Sequence, residues 1–178
     1  MPAGGATRDA ASRNIEPPDA ATKAAPTPYP VRTDDWPGSG AIRVFDWMKD
    51  NRNFFWSERD LKRRSIVFAG DSLTASWSTL EVDFPGAKVA NRGIGGDVSR
   101  GLLFRFEEDV LELRPKVIVI LIGINDLTAS QAASDTLANV RLMLEIKQTR
   151  QPLVPVVLCT VPPSANPSAP VDEQHGAC

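Results

Sequence analysis

Residues 65–77 read SIVFAGDSLTASW: an apolar run stops on Gly70, an acid and a serine, and helix-forming residues follow. A run this short and apolar throughout is the mark of a strand covered on both faces. The turn after it has two readings. Ser72 caps a helix, the commoner role of a serine after a strand, or it is a nucleophile held at the mouth of a site. What else reaches the same edge decides between them.

Working outward, AKVAN (87–91) reads as a weaker second strand, KVIVILIG (116–123) as the strongest, and PVVLCT (155–160) as a fourth. LTASWSTLEV, between the first two strands, reads as a helix or helical turn stopped at Phe84-Pro85-Gly86. SRGLLFRFEEDVLEL (99–113) puts Leu102, Leu103, Phe106, Val110 and Leu113 on one face, with Glu107, Glu108 and Asp109 largely outside it, and ends at Arg114-Pro115. SQAASDTLANVRLMLEIKQTR (130–150) reads as a long helix with Leu137, Val140, Met143 and Leu144 inward. Strand and helix in alternation imply right-handed crossovers and a parallel sheet. The expected fold class is α/β: a three-layer α/β/α, flavodoxin-like domain. Upstream, AIRVFDWMKDNRNFFW carries Ile42, Phe45, Trp47 and Met48 at roughly helical spacing. Residues 1–36 are rich in Ala, Pro and Thr and read as a disordered arm, leaving 37–178 as the domain.

The totals narrow the function. The chain has 178 residues, 42% hydrophobic and 24% charged, with a formal net charge of -2. This is ordinary single-domain composition and gives no electrostatic reason for a nucleic-acid or anionic-membrane partner. Cys159 and Cys178 lack metal-ligand spacing, so no metal is expected. No apolar run approaches the roughly 18–20 residues that cross a bilayer, and the N-terminus lacks the layout of a secretory signal. A cytoplasmic location is the default expectation.

In parallel sheets ligands sit beyond the carboxyl ends of the strands. The loops there begin GDSLT (70–74), NRGIGGD (91–97), GIND (123–126) and VPPS (161–164). Singly each is an ordinary turn; together they are specific. Ser72 offers a hydroxyl nucleophile, and its backbone N–H at a helix start, a glycine N–H at Gly96 and the amide of Asn125 are the three donors of an oxyanion hole. Losing one such donor costs roughly 3–4 kcal/mol in a working acyl-transfer enzyme.

These three blocks, in this order, resemble the SGNH or GDSL-type hydrolases, a family of esterases and lipases. NRGIGGDVSRGLLFRFEEDVL is especially similar to the branch that holds the platelet-activating-factor acetylhydrolase catalytic subunits and related bacterial acylesterases. The resemblance implies that Ser72 is the nucleophile and that the N–H groups of Ser72 and Gly96 join the Asn125 side chain as the oxyanion hole. Asp97 would brace the second loop or else cap the helix over 98–113, and Asp71 would orient its turn. The family's fourth block is D-x-x-H, which Asp172 and His175, the single histidine, match in spacing. They follow the fourth strand with no fifth strand between, so the domain is expected to lack its last strand and helix. Two readings of that pair stay open: a chance match in a tail, or a tail that folds back, since about 12 extended residues reach up to ~40 Å. Without a further strand PVVLCT is an apolar edge, expected to be covered by association, as in a homodimer, or by the tail lying along it, and in solution a dimer or aggregation is expected.

The leading expectation is a serine esterase working through an acyl-enzyme without cofactor, and the resemblance implies small acetyl or short-acyl esters as its substrates. The alternative is a catalytically impaired member serving as a binding or assembly module. A flavin or nucleotide binder is the weakest reading, for the chain has no G-x-x-x-x-G-K-[ST] and GIGGD lacks the G-x-G-x-x-G spacing.

Overall fold

The computed structural model describes residues 23–162. Four strands, β1 (Ile66–Gly70), β2 (Val89–Gly93), β3 (Val117–Leu121) and β4 (Val156–Leu158), form one parallel sheet in the order β2-β1-β3-β4. The helices are α1 (Asp46–Ser57), α2 (Ser72–Ala75), α3 (Leu80–Asp83), α4 (Ser99–Asp109), α5 (Ile124–Thr128) and α6 (Ala133–Arg150).

The alternation of side chains along each strand divides the apolar residues between two faces. Val67, Ala69, Ala90, Ile118 and Ile120 meet Leu102, Phe106, Val140 and Met143 of α4 and α6 in the main core. On the other face Phe68 and Val89 meet Leu80 and Phe84, and the Phe68 ring lies 5.5 Å from Trp77 and 5.1 Å from Phe84. The α/β/α layering is therefore present, with a thinner second layer. Among the described residues only the α2–α3 segment supplies it, and Val117, Val119 and Leu121 of β3 are half-buried.

Several boundaries differ from the sequence reading, each for a local reason. LTASWSTLEV splits into α2 and α3, because Trp77 Nε1 and Thr79 Oγ1 both donate to the Asp83 carboxylate and reset the chain before the second turn. α4 stops at Asp109 and tightens into a 3₁₀ turn over Leu111–Leu113. Arg114 then adopts a left-handed conformation (φ 50°) before Pro115. Leu137 is half-exposed instead of inward. At that level the inward positions of α6 belong to Thr136, which donates to Asp126, and to Asn139, which bonds Ser39 and Ser99. α1 starts only after Phe45, so Met48 is buried while Trp47 lies half-exposed.

Residues 23–36, placed by composition in the arm, lie against the domain. Tyr29 stacks on Trp36 at 5.5 Å, and both rings pack on Phe104. The Thr27 N–H donates to Glu108 at 2.9 Å, and Arg52 donates to the Thr27 carbonyl. Two aromatics with a fitted slot outweigh a polar, proline-rich context that composition alone counts as unable to pack. Among the described residues no strand lies beyond β4, whose Val157 and Leu158 are exposed.

Candidate active site

Three strands bring their carboxyl ends to one level: Gly70 is in register with Gly93 of β2 and with Leu121 of β3. The GDS loop, the GIGGD loop and the GIND loop all start from that row. Glycine is required at two of its positions. A Cβ on Gly70 would stand 2.1 Å from the Leu121 carbonyl oxygen, and one on Gly93 would stand 2.2 Å from the backbone nitrogen of Ala75. Both obstacles are backbone, which has little room to give way. The Ile94 N–H donates to the Gly70 carbonyl at 3.0 Å, tying the second loop to the first. Asn91 adds a further tie, donating to the Thr74 carbonyl at 2.7 Å and accepting the Gly93 N–H at 2.9 Å.

Ser72 opens α2 and is exposed. Asp71, fully buried, accepts the Leu73 N–H on Oδ1 at 2.9 Å, while its Oδ2 has no partner among the described residues. Burial raises its carboxyl above the ordinary range against the pull of that N–H. The geometry gives Asp71 the turn-orienting part expected of it. Because α2 is a single turn, it carries little macrodipole; the Ser72 N–H is a local donor, not the end of a long helix.

Gly96 takes φ +82°, a left-handed conformation that favours glycine. Among the described residues, the N–H groups of Ser72 and Gly96 donate no hydrogen bond. Asn125 Nδ2 donates to the Asp97 carbonyl at 2.9 Å, which joins the third loop to the second and leaves the other N–H of that amide available. The second and third loops are thus brought together next to Gly96.

Asp97 is fully buried. Its Oδ2 accepts from Arg105 Nε at 2.9 Å and its Oδ1 from the adjacent Val98 N–H at 3.1 Å. Burial pushes its carboxyl up to about 6, although the Arg105 guanidinium pulls the other way. Of the two expected roles, the loop brace is the one it takes. The start of α4 is capped from across the site instead, where Asp126 of GIND accepts the Ser99 N–H at 2.9 Å and the Ser99 hydroxyl. Asp126 also accepts from Gln131 and Thr136, so one buried carboxylate fixes α4, α5 and α6 together.

Arg105, Asp126 and an aromatic pair are the parts that sequence reasoning missed. Gly101 was the available signal for the first. A glycine inside a helix costs about 1 kcal/mol against alanine and calls for a packing reason, and a Cβ there would stand 2.1 Å from Asp97 Oδ1. The aromatic pair is Phe45 stacked on Trp47 at 4.4 Å. Trp47 Nε1 donates to the Gly95 carbonyl at 2.9 Å, and the Phe45 ring lies 3.0 Å from where a Cβ on Gly96 would be. Nothing in the spacing of those residues announces a contact with the second block.

Asp172 and His175 lie outside the described residues. Cys159 is a half-buried free thiol. Among the described residues no group of three or more His, Cys, Asp or Glu side chains is placed to hold a metal ion, and no helix is long and apolar enough to cross a membrane.

The structure is thus a parallel α/β/α sheet that carries GDS, GIGGD and GIND loops on its carboxyl edge. The sequence model of the GDSL-like Lipase/Acylhydrolase family matches residues 68–177, and the chain belongs to that family. Among curated relatives, the alpha1 subunit of platelet-activating factor acetylhydrolase IB from Homo sapiens is 29% identical over 154 residues, which is 84% of this chain and 63% of that protein. The alpha2 subunit from Mus musculus is 27% identical over 133 residues, 72% of this chain and 57% of the relative. The chain thus spans less than two thirds of the length of these relatives. Among solved structures, an acylhydrolase candidate from Bacteroides fragilis superposes with a TM-score of 0.60 at 30% identity, covering 74% of this chain and 68% of that one. A GDSL-like lipase from Bacteroides thetaiotaomicron gives 0.50 at 30% identity, covering 59% and 55%.

Proposed function

We propose that the chain is a serine esterase that hydrolyses small acetyl or short-acyl carboxylic esters through an acyl-enzyme. Ser72 Oγ attacks the ester carbonyl, and the carbonyl electron pair moves onto oxygen. The N–H groups of Ser72 and Gly96 and the free N–H of Asn125 receive that oxyanion. Collapse expels the alcohol, and water then releases the acid by the same route in reverse. His175 takes the serine proton and returns it to the leaving alcohol, oriented by Asp172, as in a Ser-His-Asp triad. No cofactor takes part in this scheme.

The observation that supports this reading most is the shared level at which β1, β2 and β3 end, with unspent N–H groups on the loops that follow. The test is hydrolysis of 4-nitrophenyl acetate. Wild type is expected to turn over, and Ser72→Ala to lose on the order of 10⁶ in kcat if the triad acts as a unit, as in the subtilisin precedent. His175→Ala is expected to fall comparably. A rate retained in Ser72→Ala contradicts the esterase reading, and a rate retained only in His175→Ala replaces the base. No hydrolysis by wild type favours the binding or assembly role.

A further inference from the structure

We infer that Arg105 is a positioning residue of this site, setting the spacing between the loop that carries Ser72 and the loop that carries Gly96. Arg105 projects from α4 and is fully buried. Its Nη2 donates to the Gly70 carbonyl at 3.1 Å, immediately before Asp71-Ser72. Its Nη1 donates to the Arg92 carbonyl at 2.9 Å, at the end of β2. Its Nε donates to Asp97 Oδ2 at 2.9 Å, immediately after Gly96. One planar fork therefore holds the ends of two strands and the far side of the oxyanion loop.

The hold extends to the third loop, because the residue whose carboxylate Arg105 grips is the one whose carbonyl accepts from Asn125. Ser72, Gly96 and Asn125 sit at the ends of three branches that meet in this guanidinium. Its other side is anchored: Nη1 also reaches Asp109 Oδ2 at 3.4 Å, and the same oxygen accepts from Arg52 Nε at 3.3 Å. Gly101 belongs to the same device, since any larger residue there would occupy the place of the Asp97 carboxylate.

An ion pair that served stability alone would need only the carboxylates. Arg105 spends two donors on backbone carbonyls at strand ends, where no charge needs neutralising, and those carbonyls lead straight into the reacting loops. In a buried site without competing water, such bonds fix geometry strongly. Lysine keeps the charge but offers three donors from one point, and it cannot span carbonyls and carboxylate in the fixed plane of a guanidinium. A misplacement of about 1 Å in an active site costs on the order of 10² in rate.

The inference rests on the esterase reading for its effect on rate, but the spacing itself is measured without catalysis. In Arg105→Lys, hydrogen exchange followed by mass spectrometry is expected to show lost protection in peptides spanning 70–74 and 93–98, with peptides of α6 unchanged. In 4-nitrophenyl acetate hydrolysis kcat is expected to drop about 10²-fold with KM within about threefold. Asp97→Asn, which keeps the size of the side chain, is expected to show the same pattern and serves if the lysine variant does not fold. Wild-type protection in both loops of either folded variant, or an unchanged kcat, overturns the proposal. A wild type without Ser72-dependent hydrolysis sinks the esterase reading while the exchange result still decides what Arg105 holds.

Discussion

Asp97 joins a buried carboxylate, an arginine and the GIGGD loop in one residue, and its titration can be followed. Around it stand the guanidinium of Arg105 and the carboxylate of Asp109, with the Tyr29 hydroxyl further out. Its folded-state carboxyl is pushed from 3.8 up to about 6. The fold therefore binds this proton more tightly than the unfolded chain does. The stability it contributes is full below the ordinary carboxylate pKa and is lost as pH rises through about 6. Asn at this position carries no such proton. In urea unfolding, wild type is expected to gain on Asp97→Asn as pH falls from about 6 toward about 4, and a gap independent of pH contradicts the assignment. At this scale the sequence was legible where chemistry forces a residue type. Ser72, Gly96 and Asn125 could be singled out because hydroxyl, glycine amide and carboxamide are what an oxyanion site would need at strand ends, and the structure sets all three on loops at one edge of the sheet. Arg105 was not, because a charged residue on the margin of an amphipathic helix looks like any solvated one until its buried acceptors are known.

Among the elements, α4 matters most, since it joins the main core to the site. Its apolar face follows the 3.6-residue period, with Leu102, Leu103 and Phe106 buried, and its polar residues Ser99, Arg105 and Asp109 run the loop network. Phe106→Ala is expected to destabilise by about 3–5 kcal/mol, the usual loss for a buried aromatic. A shift in chemical denaturation below about 1 kcal/mol would show that α4 is held by its ion pairs instead of its packing. The chain order and type of the four strands and of α4 and α6 were legible because the strands are short, mostly apolar runs bounded by turn residues and the two helices repeat apolar residues at helical spacing. The α2–α3 segment was legible only as helical, since its break depends on side-chain bonds of Trp77 and Thr79 to Asp83 that no period encodes. The placing of residues 23–36 was missed for the same kind of reason: Tyr29 and Trp36 are two aromatics in a polar stretch, and their slot is built by α1 and α4.

For the molecule as a whole, β4 is the element that bears on assembly. It is short, its Val157 and Leu158 are exposed, and among the described residues it pairs with β3 alone, so its outer row of backbone groups is a template for another strand. A second copy of the chain pairing there is the expected occupant, so light scattering is expected to give the mass of a dimer. A monomer whose β4 amides exchange slowly contradicts this. The wider account depends on three loops meeting around one serine. Its most direct measurement is mass spectrometry after treatment with diethyl 4-nitrophenyl phosphate, whose phosphorus mimics the attacked carbonyl and whose adduct stays on the nucleophile. The account predicts one diethylphosphoryl group, carried by the peptide that contains Ser72 and absent from Ser72→Ala. An unmodified chain, or an adduct on any other residue, would contradict it.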